Sequence, residues 1–463
     1  MSDAVCRAIA GAASGYVDAP AGCGKTESIV KTVGHFCDNP QLVLTHTHAG
    51  VGALRQRFRD KQTPSRKCHV DTIAGWAWGW VRKYPINAGY GGNTGIAEWN
   101  EVYGACANLL EKDFVRQGVL NSYSGVIVDE YQDCTLQMHR LIVQLKRILP
   151  CRVLGDELQG IFDFGKDLVS WADVRAEFAQ NLGALDTPHR WINAQNERLG
   201  RWLLGSRAEF LQNREPSYAG SPIDHRSVTF RELSSELIQI THNRQGRICV
   251  IGAKAHPFKS SVETALVNQG YRVLEPSELS ALQKVVIALA DGSAAVRNDT
   301  TVKFLLRAHG GLEAADKEFI QKILTGTARQ PRRADRRALW TKHPNGATPA
   351  LVYDILCYIE KCGGACDKLR ESLSALRCIL EQHQATATDL KTLYADEITK
   401  RKYHSRSKVF RCIGSTLLVK GLEFDHVVIV RSSDWLQSWG NHRDLYVALT
   451  RGCKTTTLLE LVA

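Results

Sequence analysis

Two short segments constrain this chain more than anything else in it. Residues 19–26 read Ala-Pro-Ala-Gly-Cys-Gly-Lys-Thr, and residues 126–133 read Val-Ile-Val-Asp-Glu-Tyr-Gln-Asp. In the first, small residues (Ala21, Gly22, Cys23, Gly24) let successive backbone N–H groups close around phosphate oxygens. Lys25 adds a cation, and the Thr26 hydroxyl suits a magnesium ion. The preceding Tyr16-Val17-Asp18 reads as a short strand and the following Glu27–Lys31 as a helix, the strand–loop–helix setting such a loop requires. The general pattern begins with Gly, where this chain has Ala19. In the second segment the apolar run 126–128 suits a buried parallel strand that delivers Asp129 and Glu130 to its carboxyl end, where open α/β sheets bind ligands. Asp129 is placed to hold a metal and Glu130 to orient or deprotonate a water. One segment alone could be a solvated strand end. The two in this order point to nucleoside triphosphate hydrolysis.

Composition narrows the setting. The chain has 463 residues, 44% hydrophobic and 23% charged, as expected of two to four globular domains. No apolar run approaches the roughly 18–20 residues that span a bilayer. The Ala-rich N-terminus lacks the basic start and Leu-rich centre of a signal peptide. Fourteen Cys in no repeating pattern fit a reducing cytoplasm. A net charge of +11 favours a polyanionic partner, with basic clusters at Arg329–Arg337 and Lys400–His404.

Along the chain, strand signals at 41–45, 126–128 and 151–154 alternate with helical stretches. They make residues 1–75 and 123–190 a first parallel-sheet core, with 76–122, rich in Trp and Gly, as a small insertion. A second core covers 191–277 and 411–463, with strands expected at 247–252, 416–419, 427–430 and 455–459. It is split by a helical insertion at 278–410, where segments such as Leu351–Ile359 carry helix-spaced apolar residues.

The order of motifs then matters. After the phosphate loop come LVLTHTHAGVGALRQRF (42–58), HVDTIAGWA (69–77), DEYQD (129–133), GDELQGIFDF (155–164), TPHRW (187–191), VKGLEFD (419–425) and YVALTRG (446–452). This series resembles the UvrD/Rep-type superfamily 1 DNA helicases across both cores. The resemblance implies an α/β fold of two RecA-like parallel-sheet cores with helical insertions and an ATP site at their interface. It implies ATP and Mg²⁺ as cofactors, with Lys25 and Thr26 on phosphate and metal, Asp129 on the metal and Glu130 on the water. Gln159 would sense the γ-phosphate, Arg190 and Arg451 would reach in from the second core, and Glu423 would meet the ribose. Gln132 and Asp133 would couple the site to the facing core. Phe162 and Phe164 stand where the family presents aromatics to bases, and Thr47 and Thr72 where hydroxyls meet the DNA backbone. The implied partner is single-stranded or tailed duplex DNA, tracked 3′ to 5′.

Several positions depart from that family. Ala4 stands where a Gln reads adenine. His48 and Ala49 replace Asn and Lys, Ala74 replaces a His, and Leu417 and Leu418 replace polar residues. These changes fall on the DNA-coupling side and leave the hydrolytic set nearly complete. They open an alternative: a DNA-sensing regulatory ATPase subunit that gates a partner without processive unwinding. The short outline is also similar to helicase-like subunits of anti-phage systems such as Gabija, where the partner is a nuclease. Cys357, Cys362, Cys366 and Cys378 follow no common zinc spacing and read as small hydrophobes.

Overall fold

A computed structural model describes residues 3–91, 99–161, 168–252, 261–274, 277–308, 312–343, 347–361, 370–386, 390–391, 393–394, 397, 409–432 and 442–462. Phe162, Phe164, Cys362, Cys366 and the 400–404 cluster lie outside them. Six strands form a first parallel sheet: β1 (Ser14–Asp18), β2 (Gln41–Thr45), β3 (Cys68–Thr72), β4 (Gly125–Val128), β5 (Cys151–Gly155) and β6 (Asn181–Ala184), in the order β3-β2-β4-β5-β1-β6. Six more form a second: β7 (Asp224–Thr229), β8 (Ile248–Ile251), β9 (Arg272–Val273), β10 (Arg411–Gly414), β11 (Phe424–Ser432) and β12 (Gly452–Val462), in the order β7-β12-β11-β8-β10-β9. This is the α/β class of two parallel-sheet cores expected from the sequence.

The central strands are the apolar ones, because helices cover both faces of a parallel sheet. Every residue of β2, β4, β5 and β8 is buried. Each fully buried Val, Leu or Ile there contributes about 1.5–3 kcal/mol of transfer free energy. The register sets Asp18 beside Gly155 and Val128 beside Val153, so the loops that follow β1, β4 and β5 emerge side by side.

One strand expectation needs correction. Thr416–Val419 is a short helix, and the strand is Arg411–Gly414 just before it. Leu418 and Val419 donate their backbone N–H groups to the Ser415 carbonyl and bury their side chains. An apolar run of four reads the same as a buried strand or as one buried helical turn.

The chain divides into two compact units. One carries both sheets together with the helices Ile73–Val81, Pro85–Ala88, Trp99–Leu109 and Asp113–Ser122, whose Trp76, Val102 and Val115 share a core with β4 and β5. The other, at 275–405, is helical among its described residues and has its own core, which includes Leu282, Leu305, Ile320, Ile355 and Leu376. Within it the buried Asp316 carboxylate accepts from Tyr358 and from Arg336 at 2.5 Å, which pairs a charge that would otherwise be costly to bury. No described helix is long and apolar enough to cross a membrane.

Candidate functional site

The phosphate loop joins β1 to the helix Lys25–Lys31, and Gly22 (φ 70°) and Gly24 (φ 86°) take the left-handed turns that bring it round. Its amides are anchored from β5: Ala19 N–H donates to the Gly155 carbonyl at 2.8 Å, and Ala21 N–H to Asp156 Oδ2 at 3.0 Å. The Arg190 N–H, on the helix His189–Asn193, donates to the Gly22 carbonyl at 3.1 Å. Cys23 is buried, and that burial pushes its thiol up to about 12, far from a reactive thiolate.

Lys25 Nζ lies 2.5 Å from Glu130 Oε2 and 3.6 Å from Asp129 Oδ1. Burial works against the Lys25 charge, but the two carboxylates outweigh it and hold the amine protonated well beyond its usual range. Burial pushes the Asp129 carboxyl up. Glu130 feels the same burial, yet Lys25 holds it below the ordinary carboxylate range. Glu130 also adopts the left-handed backbone conformation (φ 57°, ψ 40°), a strained state for a residue with a side chain.

A hydrogen-bonded chain runs from this pair to the second core. Gln132 Nε2 donates to Glu130 Oε2 at 2.6 Å, and its Oε1 accepts the Asp156 N–H at 3.1 Å. Gln159 Nε2 donates to Asp156 Oδ2 at 2.9 Å, while Gln159 Oε1 accepts from Arg451 Nη2 at 3.2 Å. Lys420 closes a second link by donating to Asp133 and, at 2.6 Å, to the Gln159 carbonyl. Burial pushes the Asp133 carboxyl up to about 6, although Lys420 opposes the rise.

Arg451 sits just before β12 and is 2% exposed. Among the described residues its hydrogen-bond partners are all neutral oxygens: the carbonyls of Val447 (3.0 Å) and Leu422 (3.3 Å), Thr450 Oγ1 (2.9 Å) and Gln159 Oε1. Burial, with Arg190 nearby, lowers its pKa to about 10. Arg190 itself donates to the Thr450 carbonyl at 2.7 Å and to Glu423 Oε1 at 2.6 Å. Burial alone would raise the Glu423 carboxyl, but Arg190 outweighs it and holds it low.

The structure therefore brings Lys25, Asp129, Glu130, Gln159, Arg190, Glu423 and Arg451 into one array across the seam of the two sheets. Thr26 follows Lys25 on the same helix and is half-buried. Thr47 and Thr72 occupy helix N-caps, accepting from Gly50 and Gly75 N–H at 3.1 and 2.8 Å, and Thr72 is buried. His46 lies against Cys134, with Nε2 3.5 Å from Sγ. Asp156, Arg207, Lys420 and Tyr446 belong to the array without having been singled out from the sequence. The position of Asp156 directly after a buried strand was the available signal; Arg207 had none. Cys357 and Cys378 are half-buried, and no group of three or more metal-ligating side chains occurs among the described residues.

No family model matches the chain, and no curated protein sequence does. Among solved structures, the chain is similar to the arterivirus nonstructural protein 10 helicase in complex with DNA, at 10% identity and a TM-score of 0.35, covering 99% of this chain and 63% of that one. A crystal structure of the same helicase is similar at 10% identity and a TM-score of 0.37, covering 99% and 62%. This chain thus spans less than two thirds of the length of those chains.

Proposed function

We propose that the chain is an ATP-driven nucleic-acid motor whose nucleotide lies at the seam between the two sheets. The observation that carries this reading is Arg451: a buried guanidinium whose hydrogen bonds, among the described residues, all go to neutral oxygens lacks a directly bonded anion. A terminal phosphate beside Lys25 would supply it. The donor set fits ATP and Mg²⁺, since the loop offers amides and an ammonium and Thr26 and Asp129 offer the hard oxygens that Mg²⁺ prefers. When bound, Mg²⁺ neutralises charge developing on the phosphates.

The residues divide the remaining work. Lys25 leaves its carboxylates for phosphate oxygen. Glu130, relieved of that cation, becomes a stronger base and is still oriented by Gln132 to take a proton from water. Arg451 stabilises the transferring group from the second core, and Arg190 with Glu423 holds the neighbouring wall. Because the grips come from opposite cores, nucleotide loss weakens the seam, and a cycle of closing and opening becomes movement along a strand.

The finer reading, by resemblance, is a UvrD-like helicase stepping 3′ to 5′ on single-stranded DNA, working with a nuclease partner in repair or anti-phage defence. The excess positive charge supports an anionic track. The regulatory reading draws support from Thr72, buried and committed to a helix cap, and from Leu418, buried where the family has polar residues. Phosphate release by the full chain, with and without single-stranded DNA, tests the proposal. Strong stimulation is expected, and no hydrolysis of any nucleotide sinks it. Displacement of a strand from a tailed duplex favours the helicase over the regulator.

A further inference from the structure

Arg207 opens the helix Arg207–Leu211, whose Phe210 packs in the second core against Tyr446, edge to face at 5.5 Å. Its side chain leaves that core and crosses to the first. Nη1 donates to Asp156 Oδ1 at 2.7 Å and to Tyr446 Oη at 2.8 Å, and Nη2 donates to Asp18 Oδ1 at 3.2 Å. Asp18 ends β1, immediately before the phosphate loop. Asp156 is fully buried, and its two oxygens take different partners. Oδ1 takes Arg207 and the Leu158 N–H, whereas Oδ2 takes the Ala21 N–H of the loop, the Gln159 amide and, at 3.3 Å, Tyr446. A carboxylate is rigid, so whatever turns Oδ1 turns Oδ2.

We infer that Arg207 is a positioning residue by which the second core sets the angle of Asp156, and through it both the phosphate loop and the Gln159 side chain that meets Arg451. The inference rests on the ATP-site reading above and adds its regulation: hydrolytic alignment requires the second core to be docked at Arg207. The planar fork is needed because one guanidinium must reach Asp156 and Asp18 together, which an ammonium does not reproduce.

The test uses the full chain carrying Arg207→Lys or Arg207→Gln. Without nucleotide, hydrogen exchange at residues 19–24 is expected to speed up by about tenfold in both, with β4 protection unchanged. With ATP, kcat is expected to fall by about ten- to a hundredfold while KM stays within about threefold. Asp156→Asn, near-isosteric, is expected to give the same pattern. Loss of protection throughout both cores would reduce Arg207 to a stabilising ion pair and overturn the inference. So would unchanged loop exchange and unchanged kcat in a folded variant. If Arg207→Gln fails to fold, Arg207→Lys decides. If the unaltered chain hydrolyses no nucleotide, the function proposed above falls, while loop exchange still judges Arg207.

Discussion

The Lys25 ammonium and the Glu130 carboxylate stand 2.5 Å apart, with Asp129 at 3.6 Å on the same cation. The three charges are mutually dependent: removing Lys25 leaves the buried Asp129 carboxylate facing the half-buried one of Glu130. Lys25→Ala is therefore expected to abolish nucleotide binding and to lower stability more at pH 8 than at pH 6, where one carboxyl takes a proton. Glu130→Gln keeps a side chain of the same shape and removes the base. Nucleotide affinity should persist and hydrolysis should fall by about 10²–10⁴-fold. Equilibrium binding of a labelled nucleotide beside single-turnover hydrolysis separates the two variants, and parallel losses in both would contradict the assigned roles.

Arg451 and Gln159 make the direct side-chain contact between a proposed γ-phosphate sensor and the opposite core, at 3.2 Å. Arg451→Lys preserves the charge but not the reach to its four acceptors. It is expected to lower kcat on the order of a thousandfold with little change in nucleotide KM. Gln159→Ala should cost less, and the double variant little more than Arg451→Lys alone, because the two act as one unit. Additive losses in kcat would separate them.

How much of this was legible in the sequence follows from where each strand sits. The buried runs at 41–45, 126–128, 151–154 and 427–430 declare themselves because both faces are covered. Of the five strands with no clear signal, β3, β6, β7 and β9 are the edges of the two sheets; the fifth, β10, lies inside the second sheet, beside the apolar run 416–419 that forms a helical turn instead. Edge strands carry polar residues such as His69, Asp71, Asn181 and Arg226, so their apolar pattern is diluted. The site divides similarly. Lys25, Asp129 and Glu130 sit at the ends of central elements and show as motifs. Arg207 and Tyr446 reach Asp156 from 51 and 290 residues away, a contact that no local pattern encodes.

His46 lies beside Cys134 with Lys420 and Lys25 nearby. Burial lowers its pKa to about 4, despite the opposing pull of Glu130. The unfolded chain binds the proton near pH 6.5 and the folded chain only near pH 4, so the unfolded state gains protons as pH falls between them. Stability from a neutral His46 is present above that window and is lost on acidification. From pH 7.5 to pH 5 the loss attributable to this residue is on the order of 2 kcal/mol. Urea unfolding at both values, for the unaltered chain and for His46→Gln, checks the sign. The variant should show the smaller drop, and an equal drop would place the proton elsewhere.

Two Gly→Ala substitutions should act in opposite directions. At Gly22, φ is +70° and an added Cβ would lie 2.6 Å from the Trp191 ring and 2.9 Å from Arg190 Cβ. The ring cannot retreat easily, since it is fully buried and its Nε1–H donates to the Gly452 carbonyl at 2.8 Å. Gly22→Ala is thus expected to cost about 1–3 kcal/mol and to push the loop off the Arg190 backbone, which weakens nucleotide binding. At Gly52, inside the helix His48–Asp60, an added Cβ meets nothing within 4 Å. Gly52→Ala should stabilise by about 0.4–1 kcal/mol through the lower entropy of the unfolded chain, leaving nucleotide affinity unchanged. Thermal unfolding and nucleotide titration of both variants decide the matter, because a phosphate loop free of Trp191 and Arg190 would show only the positive-φ strain of about 1–2 kcal/mol at Gly22, with nucleotide affinity unchanged.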